Sequence, residues 1–575
     1  MNSYPALRPR PLPLHGPKAI ILALLTWFVL VSPAAAAASA SAAPAAGPRF
    51  EISFPGSVHA QPITGRVFVV ITRKPAPEPR LQIGSWTQET PFFATDVKEL
   101  QPGASAAIND ATLGYPLRSL QDIPEGDYFV QALINIYSEF RRADGHVIWA
   151  HMDEWEGQQF NLSPGNLYSD VQEVHLDPRN YRINLRLMRV IPAPPAPADS
   201  PWVKRIKLQS KLLTRFWGRP IYLGATVLLP KDYDLHPEVR YPVIYEQGHF
   251  SLRPPLTFRA ESSPDDGQEY AHGGYELFQQ WSSADFPRMI AVTIQHPTPF
   301  FDDSYAVNSA NNGPYGDAIM QELIPYVEES FRVIREPWAR VLTGVSTGGW
   351  EALAMLLFHP DFFGGTWAFS PDPVDFKRFQ LIDLYADNNA FTAPGFEWLQ
   401  PQRPLMRTTE GQVVETMRQM SQFEAVLGSH GRSGQQLDAW NAVYGPVGPD
   451  GYPRPLWDRA TGKIDRQVAF YMRDHGFDLR YYLERNWEQL GPRLAGKIHV
   501  YCGDMDNYYL NLAVYLMEDF LNAATSPEAH ASFVYGRPMK GHGWTPFTQA
   551  ELVREMAGYI TQQAPAGADV QAWKY

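Results

Sequence analysis

Near the middle of this 575-residue chain, Gly344-Val345-Ser346-Thr347-Gly348-Gly349 has the residue types and spacing of an activated serine. A serine hydroxyl becomes a useful nucleophile when a sharp strand-to-helix turn lifts it clear of a sheet edge. The run Val341-Leu342 enters the motif as a strand, and Trp350 to Phe358 leaves it as a helix. So tight a turn brings the following helix against the backbone and leaves no room for Cβ atoms at Gly344 and Gly348. The helix N-terminus lends partial positive charge to an oxyanion forming there.

Such a serine needs a base, and the base needs an orienting acid. In a strand–turn–helix site of this kind the chain order is serine, acid, histidine. Six histidines follow Ser346: His359, His430, His475, His499, His530 and His542. His499 falls within a strand and His359 in a helix-ending turn. His542 lies in the loop Lys540-Gly541-His542-Gly543-Trp544, between the strand Ser532–Tyr535 and a final helix, where an imidazole can be aimed. The strand from Lys497 to Cys502 runs out into Gly503-Asp504-Met505-Asp506-Asn507. Asp506 is the expected acid and Asp504 the alternative, one of them serving as a helix cap near Tyr508. For the oxyanion hole the expected donors are the N–H of Thr347 and one from Gln247-Gly248-His249-Phe250, at Gly248 or His249. His249 precedes the serine and is not expected to act as the base.

These groups must be carried by a sheet. From Trp202 onward, strand patterns (Tyr222–Leu229, Val243–Tyr245, Met289–Ile294) alternate with helical ones, including Gly316–Phe331. That alternation specifies a mostly parallel sheet covered on both faces. The catalytic domain is therefore expected over 202–565. A segment from about 376 to 494 separates two of its strands and contains helical periodicity at Val413, Met417, Met420 and Val426. It reads as a cap over the site or as a peripheral insertion.

Upstream the pattern is different. Residues 49–190 show strand runs such as Val67–Ile71, Asp127–Tyr137 and the alternation at Ile183, Leu185 and Leu187, which predicts an all-β, sandwich-like module. Within it, His146, His151 and Asp153 are close in sequence, but odd spacing along a strand puts the two histidines on opposite faces. No metal site and no cofactor motif is expected. Five prolines between Pro192 and Pro201 make 191–201 a stiff linker.

Residues 1–38 read as a signal peptide: Arg8, Arg10 and Lys18, then the apolar run Ala19–Val31, then small residues at Ala34–Ala38. Residues 39–48 continue as an Ala/Pro/Ser linker. The expectation is a periplasmic or secreted protein with no membrane span after cleavage. A formal charge of −12 argues against a nucleic-acid partner. Cys502 is the single cysteine, so no internal disulfide is available.

Several segments together resemble the α/β-hydrolase family described as putative esterases: Tyr241–Tyr245, Gly313-Pro314-Tyr315-Gly316-Asp317 leading to Glu322–Tyr326, the serine motif, Ser370-Pro371-Asp372 and Gly541-His542-Gly543. That family includes enterochelin (siderophore) esterases, feruloyl esterases, S-formylglutathione hydrolases and mycolyltransferases. The resemblance runs from about 204 to 561 and implies a Ser346–Asp506–His542 triad. It also implies an ester substrate, small or linked to a glycan or siderophore. Two features depart from the family: Gln247-Gly248 stands where His-Gly is usual, and the insertion is longer than compact members carry. Ester hydrolysis through an acyl-enzyme is the leading expectation. Acyl transfer by the same triad and a non-catalytic binding protein are the alternatives.

Overall fold

Short apolar strands with tight turns dominate residues 49–190, and in the computed structural model they pair into one continuous ten-stranded sheet. The structure describes residues 47–84, 90–262, 273–395 and 398–575, so the expected signal peptide lies outside them. The sheet order is Ser105–Asn109, Arg49–Ser53, Arg182–Val190, Leu167–Ser169, Gly126–Arg141, Ile63–Thr72, Phe92–Leu100 and Gly114–Tyr115. Val147–His151 and Gln172–Leu176 also pair with the long strand Gly126–Arg141. His151, on the strand after His146, is buried between Asn135 (2.8 Å) and Glu156 (2.6 Å).

The strand Ile63–Thr72 is buried on both faces. Val67, Val69 and Ile71 point into a core of the module's own, with Phe50, Ile52, Leu185 and Leu187. Phe68 and Val70 join the much larger core that runs through the rest of the chain. Two hydrophobic faces on one strand need two partners, and the second is shared: Phe160 of the module stacks on Phe68 at 4.7 Å, and residues from beyond the Pro-rich stretch complete the same core. Gly47–Tyr575 accordingly forms one compact unit.

The second sheet has eight strands in the order Val203–Ser210, Ile221–Leu228, Ile290–Gln295, Val243–Gln247, Arg340–Val345, Gly365–Phe369, Ile498–Gly503 and Ser532–Gly536. Its first two junctions are antiparallel and the remaining five parallel. The central strands are buried along their length, as a sheet covered on both faces requires. The helical stretch before the serine strand is not one regular helix: a π turn at Ile319–Leu323 joins Tyr315–Ala318 to Ile324–Ser330.

The insertion departs from the periodicity read in it. Val413 lies not on a helix but in the strand Val413–Thr416, paired with Pro404–Arg407 and exposed to solvent. The helix Met417–Leu427 starts one turn later because Thr416 and Gln419 form a reciprocal capping box, satisfying two backbone donors that would otherwise be orphaned. Its buried face carries Met417, Met420, Phe423 and Val426. Phe423 packs edge-on against Phe92 and Tyr115 of the β module, at 5.9 and 5.3 Å between ring centroids. Arg66 of the module donates to Val426 O at 2.9 Å and pairs with Asp96, which also holds Arg432 of the insertion at 3.1 Å. The insertion is thus fastened to the β module as well as to the sheet it interrupts.

Candidate active site

Strand Arg340–Val345 ends at Ser346, and helix Thr347–Phe358 begins on the next residue. Ser346 has φ 59° and ψ −121°, a conformation that non-glycine residues avoid and that persists only when its surroundings over-determine it. They do so here. A Cβ on Gly344 would sit 2.3 Å from the Gly348 carbonyl carbon, and one on Gly348 would sit 2.1 Å from Gln247 O. Ser346 N–H donates to Phe369 O at 2.9 Å, and Ser346 O accepts from Asp372 N–H at 3.1 Å. The turn is pinned on both sides by the neighbouring strand end, which leaves Ser346 half-buried with its side chain at the carboxyl edge of the sheet.

The loop carrying His542 is set by the two strands beside it. His542 Nδ1 lies 2.8 Å from Asp506 Oδ2, and Asp506 is fully buried. Burial alone would raise the Asp506 carboxyl. The facing imidazole, with N–H donors from Tyr508 and Leu510, instead holds it below the usual carboxylate range. Asp504 does not reach His542; its Oδ1 accepts the Lys540 N–H at 2.9 Å and braces the start of the loop. Asn507, which sequence reading passed over, accepts the His542 N–H at 2.8 Å and donates to Arg407 O at 2.8 Å. Gly543 N–H donates to Ser370 Oγ at 3.1 Å, and a Cβ on Gly543 would come within 3.4 Å of Val345 Cγ1. The imidazole loop therefore lies over the turn that carries Ser346.

Asp372 is the least expected member. Its buried carboxylate accepts from Ser346 Oγ (3.4 Å, to Oδ1), and at Oδ2 from Tyr305 (2.7 Å), Thr347 Oγ1 (3.1 Å), Gln436 Nε2 (3.0 Å) and Trp440 Nε1 (3.3 Å). Burial raises its pKa, and the Tyr305 hydroxyl bond works against that rise. Gln436 and Trp440 belong to the insertion helix Gln436–Tyr444, so that helix reaches the shell of the serine. Spacing could not have revealed this, because Tyr305, Asp372 and Gln436 come from three separate connections.

Of the expected oxyanion donors, Gly248 lies against the start of the serine helix: a Cβ on Gly348 would meet Gly248 Cα at 2.9 Å. Thr347 is the first residue of that helix and is buried. The His249 side chain turns to Asp302 (3.1 Å) and Asp303 (3.2 Å). Beside it opens a cavity of about 440 Å³, lined among others by Gln158, Phe160 and Asn161 of the β module, Phe301, and Gln436 of the insertion.

Residues 222–442 match the family model described as "Putative esterase". This segment is a putative-esterase domain. It is the domain of a carboxylic ester hydrolase, and the matched stretch contains the serine turn but stops short of Asp506 and His542. The esterase domain also has likenesses among solved structures. A ferulic acid esterase aligns at 18% identity and TM-score 0.35, over 63% of this chain and 97% of its own. An S-formylglutathione hydrolase from Staphylococcus aureus aligns at 13% and 0.30, over 62% and 99%. One from Agrobacterium tumefaciens aligns at 12% and 0.30, over 63% and 95%. No curated protein matches the esterase by sequence. Among the described residues no helix is long and apolar enough to cross a membrane.

Proposed function

We propose that the protein hydrolyses a carboxylic ester through an acyl-enzyme on Ser346, with His542 as general base and then general acid, and Asp506 as its orienting acid. The observation that carries this reading is the 2.8 Å contact between His542 Nδ1 and the buried Asp506 carboxylate, on a loop laid over a strained serine turn. With Nδ1 held by Asp506, the imidazole presents Nε2 as the basic nitrogen. In the first half-reaction the Ser346 oxygen attacks the ester carbonyl carbon, its proton passes to His542, and the alcohol leaves carrying that proton. In the second half-reaction water attacks the acyl carbon, gives its proton to His542, and Ser346 recovers it as the acid leaves.

The Thr347 N–H, with one from Gly248 or His249, stabilises the oxyanion in both halves. Asp372 keeps Ser346 and Thr347 in register with the insertion and acts as a positioning residue. The cavity beside His249 receives the part of the substrate remote from the scissile bond. The N-terminal segment exports the chain, a reading supported by its basic, apolar and small-residue succession.

The test is labelling with a fluorophosphonate probe followed by peptide mapping. The expected adduct is on Ser346, absent in Ser346→Ala and strongly reduced in His542→Ala. A folded protein that hydrolyses no ester and takes no label at Ser346 would sink the proposal.

A further inference from the structure

The loop that follows strand Val243–Gln247 carries His249, and the connection after strand Ile290–Gln295 carries Asp302 and Asp303. The fold brings the three side chains together. His249 Nδ1 stands 3.1 Å from Asp302 Oδ1 and 3.2 Å from Asp303 Oδ2, and all three donor atoms lie within 4.8 Å of one another. The Asp303 side chain is 1% exposed, and no hydrogen bond reaches its Oδ2, because the imidazole N–H direction serves Asp302. Behind it Glu351, fully buried, has both carboxylate oxygens without a donor. Among the described residues no Lys or Arg side chain pairs with Asp302, Asp303 or Glu351. Buried acceptors facing acceptors are costly unless something positive lies between them.

We propose that His249, Asp302 and Asp303 form a binding site for one divalent transition-metal ion of the zinc class. The donor set, one imidazole nitrogen with carboxylate oxygens, suits zinc or manganese better than the all-oxygen preference of calcium. Zinc bonds of about 2.0–2.2 Å in a tetrahedron hold donor atoms roughly 3.3–3.5 Å apart, close to the spacing seen here. His296 is not a ligand of this site. Its Nδ1 accepts the Ser304 N–H at 2.9 Å, which leaves Nε2 as the protonated nitrogen, aimed towards Glu351 at 3.9 Å. Glu351 lies within 4.8 Å of Asp303 and His296 but does not line the cavity, so it stands outside the ligand set. His249 and Asp302 both line the 440 Å³ cavity, so an ion held there keeps an open position towards bound substrate. It also ties the loop bearing Gly248 to the connection 296–307, fixing one side of the oxyanion hole.

The experiment uses the full mature chain, stripped with a chelator and dialysed, then titrated with zinc chloride in a calorimeter. Metal content is read by mass spectrometry, and cobalt is added separately as a visible probe. The expected result is one ion per chain, a rise in thermal midpoint with zinc, and cobalt bands of a low-symmetry nitrogen–oxygen site. Asp303→Asn should abolish binding. Asp302→Asn, at the cavity mouth, should weaken it by at least about 100-fold, since even outer-shell changes cost 10–100-fold. Circular dichroism confirms that each variant is folded. Non-saturable or sub-stoichiometric binding to the unaltered chain would overturn the proposal, as would binding that survives in both variants. The carboxylates would then be sharing a proton.

Discussion

The eight-stranded sheet and the 376–494 insertion both reach Asp372, and they are built in opposite ways. In the sheet, each element's place follows from its neighbours in sequence. An apolar strand leads to a turn and then a helix, and the serine inherits its strained backbone from glycines two residues on either side. In the insertion, the decisive contacts come from far away. Phe423 is held by Phe92 and Tyr115 of the β module, while Gln436 and Trp440 reach Tyr305 and Asp372. The serine turn is made by local geometry and its surroundings by long-range packing.

That contrast can be broken or sharpened by substitution. The largest effect is expected within the sheet's own machinery. Asp506→Asn should lower kcat by about 10⁴-fold, by analogy with the loss of an orienting acid in serine hydrolysis. Asp504→Asn should change kcat only about twofold, so steady-state kinetics on the pair separates the acid from the loop brace.

Next comes the fastening of the insertion. Phe423→Ala removes a buried ring shared with the β module and should cost about 3–5 kcal/mol, read by urea denaturation. Limited proteolysis of that variant should cut first within 404–430. Cutting in the sheet instead would mean the insertion does not depend on the module.

Gln436→Ala withdraws one donor from Asp372. An under-satisfied buried carboxylate should cost about 1–3 kcal/mol and lower kcat/KM for an activated ester, with Ser346 still labelled by the probe. Unchanged kinetics would reduce the helix Gln436–Tyr444 to a structural role. The smallest effect is expected at Val413, which is 56% exposed: Val413→Thr should stay within about 0.5 kcal/mol.

The same division explains what could be read in advance. Ser346, the histidine loop and the Asp504/Asp506 strand end are legible because each sits at a strand terminus marked by apolar runs and glycine. Of the two aspartates, Asp506 is the one expected from the sequence, and the turn of the loop brings Asp506 to 2.8 Å from His542 while Asp504 accepts the Lys540 N–H. Val413 fits the helical pattern because i, i+4 and i+7 spacing continues across a helix start, although Thr416-Met417-Arg418-Gln419 carries the capping signal that ends it. Asp372 stands in a segment of the family resemblance and His249 in the oxyanion loop, but the donors that gather on Asp372, and the meeting of His249 with Asp302 and Asp303, have no signature in the sequence. Their partners lie on separate connections, and no periodicity links them.

The two-sided burial of strand Ile63–Thr72 has a consequence for the chain as it is made. One face packs wholly within residues 49–190; on the other, Phe68 stacks on Phe160 of the same module, but the neighbouring Phe92 and Tyr115 wait for Phe423, about 330 residues beyond Phe92. At a synthesis rate of 5–20 residues per second that interval is roughly 20–70 s. During it a finished β module presents Phe92 and Tyr115 to whatever is nearby, so that face must be shielded until the insertion arrives.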